Sequence, residues 1–149
     1  MIRGWHRREE RTRLEPVEME DILGLLEKPD TTVAIVGATD DPAKYGYVIY
    51  RDLKRKGFSI FPVNRNRETV DEDAAFKQLA DIPKPPTVVN IVVPPEATEQ
   101  VLQQCLELGL MNVWLQPGTE SAANLTFLQK HPFNYLANAC IMVQSRLKL

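Results

Sequence analysis

Four short segments of this sequence carry residues able to hold an anionic small molecule. The first is Gly37-Ala38-Thr39-Asp40-Asp41-Pro42-Ala43-Lys44-Tyr45-Gly46. It follows a β-branched run and leads into an apolar-periodic stretch, so it reads as a strand-to-helix loop. A helix start offers unpaired N–H groups and the positive end of the helix dipole, which together hold phosphates. Gly37 permits a sharp turn, Thr39 adds a hydroxyl and Lys44 adds a charge. Gly46 leaves space in the first turns of the helix, where an anion or a second backbone could approach. The dinucleotide fingerprint G-x-G-x-x-G fails here, because Thr39 and Pro42 stand where its second and third glycines belong.

The second segment is Val63-Asn64-Arg65, with Arg67 two residues on. An NAD site expects an acidic residue near this point to hold the ribose. Cations fit a ligand whose ribose carries a phosphate, as both NADP and coenzyme A do. The third segment, Val93-Pro94-Pro95, ends a strand and opens a helix, and by itself it is punctuation. The fourth, Gln116-Pro117-Gly118, places a neutral donor and acceptor before a tight Pro-Gly turn.

Other reactive residues are few. His6 lies near the N-terminus, and His131 precedes Pro132 at an expected helix end, where it reads as a surface or capping residue. No His, Cys, Asp or Glu spacing suggests a metal site, and no G-x-S-x-G elbow is present. Cys105 shares a helical face with Ala97, Val101 and Leu108 and reads as core. Cys140 follows the last strand; core is the expected reading, with thiol exchange at the ligand edge as the alternative.

The elements that must position these loops are legible from pattern. Strands are expected at residues 32–37, 58–63, 87–93, 112–115 and near 135–139. Helices are expected at about 42–56, 96–108 and 120–130, with a weak helical turn at 73–79. Gly57 and Gly109 follow two of the helices, where a left-handed cap favours glycine. An extra N-terminal helix should start at Pro16, carry Val17, Ile22, Leu25 and Leu26 on one face, and end at Pro29. Strict alternation of strand and helix implies an α/β fold: a Rossmann-like parallel sheet of about five strands with helices on both faces. Right-handed crossovers restrict its topology, and the expected strand order is 3-2-1-4-5. Ligands of such sheets bind beyond the carboxyl ends of the strands, where the order reverses. All four loops lie at those ends.

With these pieces in place, residues 31–143 resemble the small single-domain CoA-binding proteins, which are similar to the CoA-binding domain of the succinyl-CoA ligase alpha subunit. The resemblance is carried by Val33-Ala34-Ile35-Val36-Gly37-Ala38-Thr39, Pro42-Ala43-Lys44-Tyr45-Gly46 and Pro62-Val63-Asn64. Further on it is carried by Val92-Val93-Pro94-Pro95, Val113-Trp114-Leu115-Gln116-Pro117-Gly118 and Ala139-Cys140-Ile141-Met142-Val143. It implies that the loop from Gly37 to Gly46 holds a pyrophosphate and that Asn64 and Arg65 sit by the adenosine and its phosphate. It also implies that Val93, Pro94, Gln116, Pro117 and Gly118 line the pantetheine path. One departure is Arg65, where the family usually has proline.

The ligases carry further domains for nucleotide grasp and phosphohistidine transfer, to which the resemblance does not extend. Non-catalytic binding of coenzyme A or an acyl-CoA is therefore the expectation. The alternatives are an NADP- or CoA-using enzyme subunit that needs a partner, or a degenerate Rossmann module for protein interaction. A homo-oligomer or a partner protein stays open.

Composition agrees with one soluble domain. The chain has 149 residues, 44% hydrophobic and 26% charged, with net charge −2 and two cysteines. That charge gives no general case for nucleic acid. The apolar runs are too short to span a bilayer, and two cysteines make no disulfide framework, so a reducing, cytoplasmic setting is expected. Residues 1–13 contain five arginines and two glutamates. They read as a flexible basic arm ahead of a domain at 14–149.

Overall fold

The computed structural model describes residues 21–148. The expected basic arm and the start of the expected N-terminal helix lie outside that range. The first element is α1 (Ile22–Glu27), entered from Asp21, whose extended backbone and side-chain bond to the Gly24 N–H form the N-cap. The expected N-terminal helix is described only from Ile22, and the extended backbone of Asp21 is not helical; residues 16–20 of that expectation lie outside the described residues.

The chain then alternates as its pattern demands. β1 (Thr32–Val36) leads to α2 (Tyr45–Arg55) and β2 (Ser59–Val63). A hairpin of β3 (Thr69–Val70) and β4 (Asp73–Ala74) follows, with a 3-10 turn at Leu79–Asp81. Next come β5 (Val88–Ile91), α3 (Pro95–Leu108), β6 (Asn112–Leu115) and α4 (Ala122–Lys130). β7 (Asn134–Ala137) and a short α5 (Ile141–Gln144) complete the fold. Gly57 and Gly109 have φ of +93° and +75°, as helix-ending glycines do.

All pairings in the five-stranded sheet are parallel, and its order is β2-β1-β5-β6-β7. The parallel, Rossmann-like sheet is as expected, but the position of the third long strand corrects the expected 3-2-1-4-5. β5 lies on the far side of β1, giving 2-1-3-4-5 in order of the long strands. Pro62 supplies the physical reason. Proline cannot donate to a ladder and belongs on an edge strand. Its carbonyl accepts from Phe76 N–H on the side away from β1, so the missing donor also faces outward. β5, buried at every residue, takes the interior position. The order reverses between β1 and β5, and the loops at their carboxyl ends flank that point.

Side chains alternate across the sheet. Ala34, Val36, Val89, Ile91, Val113 and Leu115 face α3 and α4, packing on Val101, Leu102, Cys105 and Leu128. Val33, Ile35, Val88 and Trp114 face α1, α2 and α5, packing on Ile22, Leu26, Ile49, Leu53 and Ile141. Helices thus cover both faces. The expected helical turn at 73–79 is instead the β3–β4 hairpin followed by an extended stretch. Its turn residues Asp71 and Glu72 have φ of +50° and +68°, the values a two-residue hairpin loop requires.

Candidate functional site

At the carboxyl ends of β1, β2 and β5 the loops enclose a cavity of about 480 Å³. Its size is that of a small-molecule cleft. Val36, Gly37, Thr39 and Lys44 form the wall that follows β1. Val63, Asn64, Arg65 and Asn66 follow β2, and Val92, Val93 and Pro94 follow β5. α3 contributes Ala97, Gln100, Val101 and Gln104, and the chain after the hairpin contributes Lys77 and Gln78.

The loops interlock through their backbones. Gly37 N–H donates to Val63 carbonyl at 2.9 Å, Val92 N–H to Val36 carbonyl at 2.9 Å, and Gln116 N–H to Ile91 carbonyl at 3.0 Å. Asn64 adds a side-chain tie: its amide donates to Ala38 carbonyl at 2.8 Å and its oxygen accepts from Asn66 N–H at 2.8 Å. Gly37 has φ of +107°, and a Cβ there would stand 2.9 Å from Val92 carbonyl oxygen. Thr39 accepts from Asp41 N–H, shaping the approach to α2. α2 itself starts at Tyr45, three residues later than the pattern suggested, with Lys44 at its N-cap. Of its first three N–H groups, that of Tyr47 donates to Lys44 carbonyl at 3.1 Å, while those of Tyr45 and Gly46 come too early for any carbonyl of the helix itself.

Charge is sorted around the cavity. Arg51 bonds to Asp40 at 2.6 Å, and Arg67 stands 3.9 Å from the same carboxylate. Lys54 pairs with Asp71 and Asp73, and Tyr50 donates to Asp73 at 2.6 Å. The Arg51 hydrogen bond, helped by the Asp71 N–H, holds the Asp40 carboxyl below its ordinary value. Tyr50 and then Lys54 do the same for Asp73. Burial, helped by the Asp73 bond, raises the Tyr50 phenol. These carboxylates are taken up among themselves and their partners. The cavity walls carry Lys44, Arg65 and Lys77 and no carboxylate.

Of the fourteen residues singled out in the sequence, the structure brings eight to this cavity: Gly37, Thr39, Lys44, Val63, Asn64, Arg65, Val93 and Pro94. Six lie elsewhere. Ala38 is fully buried against the α2 side of the sheet, and Tyr45 points to solvent, 70% exposed. Gly46 is where α2 passes the loop: a Cβ there would lie 1.9 Å from Gly37 carbonyl oxygen, so the close neighbour is backbone. Gln116 is buried, its side-chain oxygen accepting from Ile141 N–H at 3.0 Å, and Pro117 and Gly118 are exposed beyond the cavity. Arg67 is turned to Asp40. Cys140, half-buried at the start of α5, is outside the lining, and Cys105 is core, its thiol pushed up to about 12 by burial.

Sequence reasoning missed Lys77, Gln78, Gln100 and Gln104. Gln100 and Gln104, four apart on α3, share one helical face. Lys77 gave no local signal. Among the described residues no helix is long and apolar enough to cross a membrane, and no group of three His, Cys, Asp or Glu could hold a metal.

Comparison with known proteins agrees with the fold. A conserved hypothetical protein from Pyrococcus furiosus superimposes with a TM-score of 0.75 at 38% identity, over 77% of this chain and 99% of that one. The alpha subunit of acetate–CoA ligase (ADP-forming) II from Pyrococcus furiosus is 37% identical over 82 residues, 54% of this chain. That stretch is only 18% of the ligase subunit's length. The uncharacterized protein YneT of Bacillus subtilis is 26% identical over 74% of this chain and 82% of its own. The model of the CoA binding domain matches residues 31–146, so this chain belongs to the CoA-binding domain family, whose cofactor is coenzyme A.

Proposed function

We propose that this chain binds coenzyme A or an acyl-CoA at the carboxyl edge of its sheet and does not transform it. The observation that carries the reading is a cavity at the β1/β5 reversal whose charged residues are Lys44, Arg65 and Lys77, with no opposing carboxylate. Such walls fit a ligand with several phosphates, since like charges gathered without a counter-charge repel unless an anion joins them. Lys44, Thr39 and the first N–H groups of α2 suit the pyrophosphate. Asn64 and Arg65 suit the adenosine side, and Val93 and Pro94 the start of the pantetheine arm. Bound coenzyme A would supply a thiol able to carry an acyl group. The lining offers amides, cations and apolar surface, which hold and orient; it offers no imidazole, thiol or carboxylate to move a proton.

A second reading has support in one relative's name. A ligase alpha subunit is part of a larger assembly, so this domain could hold the cofactor for a partner that carries the chemistry.

Calorimetry and thermal melting with coenzyme A test the proposal. A ligand at 100 times its Kd stabilises the folded state by about 2.7 kcal/mol, a rise of about 5–10 °C for a domain of this size. No heat and no shift at millimolar coenzyme A would reject binding. The purified chain alone should form no acetyl-CoA from acetate and coenzyme A, with or without ATP. Turnover by the chain alone would reject the non-catalytic part.

A further inference from the structure

We propose that Lys77 acts with Arg65 to recognise a phosphate monoester on the ribose of the bound nucleotide, making Lys77 a specificity-determining residue of the cavity. The inference rests on the coenzyme A reading and assigns a role to a residue outside the strand-end motifs.

The two cations reach one cavity from different parts of the chain. Arg65 sits in the turn after β2, bent by the bond from Asn66 N–H to Asn64. Lys77 arrives fourteen residues after the end of β2, once the β3–β4 hairpin has returned the chain to the sheet edge. There Phe76 N–H donates to Pro62 carbonyl and Asn64 N–H to Phe76 carbonyl, both at 2.9 Å, and Phe76 pairs in parallel with Val63. These two bonds fix residue 76 as a further rung beside β2. Lys77 is thereby set about one strand spacing, roughly 5 Å, from the Asn64–Arg65 backbone.

Charge sorting separates this pair from its neighbours. Arg67, only two residues beyond Arg65, is turned to Asp40, while Lys54 and Arg51 are taken by Asp71, Asp73 and Asp40. Arg65 and Lys77 have no ion pair among the described residues, and both side chains are exposed on the cavity wall. A phosphate monoester carries about −1.5 to −2 charge at neutral pH. It can engage two cations at once, where each phosphate of a diphosphate diester presents a single charge. Lys44, on the opposite loop, remains for the diphosphate.

The test is calorimetry of wild type, Lys77→Gln and Lys77→Arg with coenzyme A and with dephospho-coenzyme A. Wild type should prefer coenzyme A by about tenfold, the scale of one partly screened charge-assisted contact. Lys77→Gln should lose most of that preference by weakening coenzyme A alone, and Lys77→Arg should keep it. Unchanged melting temperatures, expected for an exposed residue, would show that the fold is intact. If Lys77→Gln weakens both ligands equally, or neither, the inference is overturned while the coenzyme A reading stands. If wild type binds neither ligand, the coenzyme A reading falls and this one falls with it.

Discussion

Replacing Gly46 with alanine should damage the protein even though alanine favours a helix. Gly46 lies in the first turn of α2, where Gly→Ala would ordinarily contribute about 1 kcal/mol of helix stability. The added Cβ, however, would stand 1.9 Å from Gly37 carbonyl oxygen and 2.9 Å from its carbon, where real Cβ atoms keep beyond 3.0 Å. Both neighbours are backbone, so no rotamer change relieves the clash. Loop and helix must part by about an ångström, and the bond from Gly37 N–H to Val63 carbonyl lies on the part that moves. Overpacking of this kind costs about 1–3 kcal/mol even where side chains can adjust. With the helix gain subtracted from the upper end of that range, the net loss is about 2 kcal/mol. The melting temperature should fall by about 4–8 °C. Urea denaturation and thermal melting followed by circular dichroism measure it directly. A variant that melts at or above the wild-type temperature would refute the close approach and leave Gly46 available to face a ligand instead.

Glu72→Gly should stabilise the fold by about 0.5–1 kcal/mol, because Glu72 holds φ of +68° that glycine adopts without strain; an unchanged or lower urea midpoint would count against strain in that turn. Asp40 and Asp73 have folded pKa values below the ordinary 3.8, so their contribution is complete above that value. It fades as pH falls from there through the lower folded values. Asp40→Asn should therefore flatten the loss of urea stability below about pH 4, and an acid limb as steep as that of wild type would show that the Arg51–Asp40 pair is not part of it. Iodoacetamide should alkylate Cys140 in the native protein and reach Cys105 only after unfolding, since the Cys105 thiol is buried and raised to about 12. Saturating coenzyme A should not slow the Cys140 reaction; protection would bring the ligand to the α5 end of the sheet.

Much of the architecture was written in local chemistry. The β-branched runs marked β1, β2 and β5, because parallel strands covered on both faces must be largely apolar; β6 and β7 hold one β-branched residue between them, Val113, and were marked by their aromatic and aliphatic residues. Gly37, Lys44, Asn64 and Arg65 were legible for a similar reason: strand ends in such a sheet share one edge. The strand order is carried by one residue, Pro62, whose missing N–H argues for an edge. The β3–β4 hairpin escaped because its turn is Asp71-Glu72, without the glycine or asparagine that announces positive φ. Asp71 is supported from outside the segment, by the bond from its N–H to Asp40 thirty-one residues earlier. Lys77 escaped with the hairpin, since only the pairing of Phe76 with Val63 brings it to the cavity. Gln116 misled for the opposite reason. Its amide looked available at a strand mouth, but α5, which the sequence did not announce, uses its oxygen to satisfy Ile141 N–H.

The cross-loop bonds of Gly37, Val92 and Gln116 have a thermodynamic consequence. Each continues the sheet ladder one step past the last residue of its strand, so the loops beneath the cavity share the stiffness of the sheet. Ordering a free loop costs about 1–2 kcal/mol per residue, a charge against affinity that a flexible site meets each time it binds. Here most of that ordering is complete when the chain folds, and binding draws on it without further loss. Association should then be a collision with a ready surface, and its rate should follow ligand concentration linearly, with no slower conformational step behind it. Amide hydrogens at positions 37, 92 and 116 should exchange slowly in the ligand-free protein and change little on binding, while the cavity-lining Lys44, Arg65 and Lys77 side chains give up the freedom that the backbone has already lost.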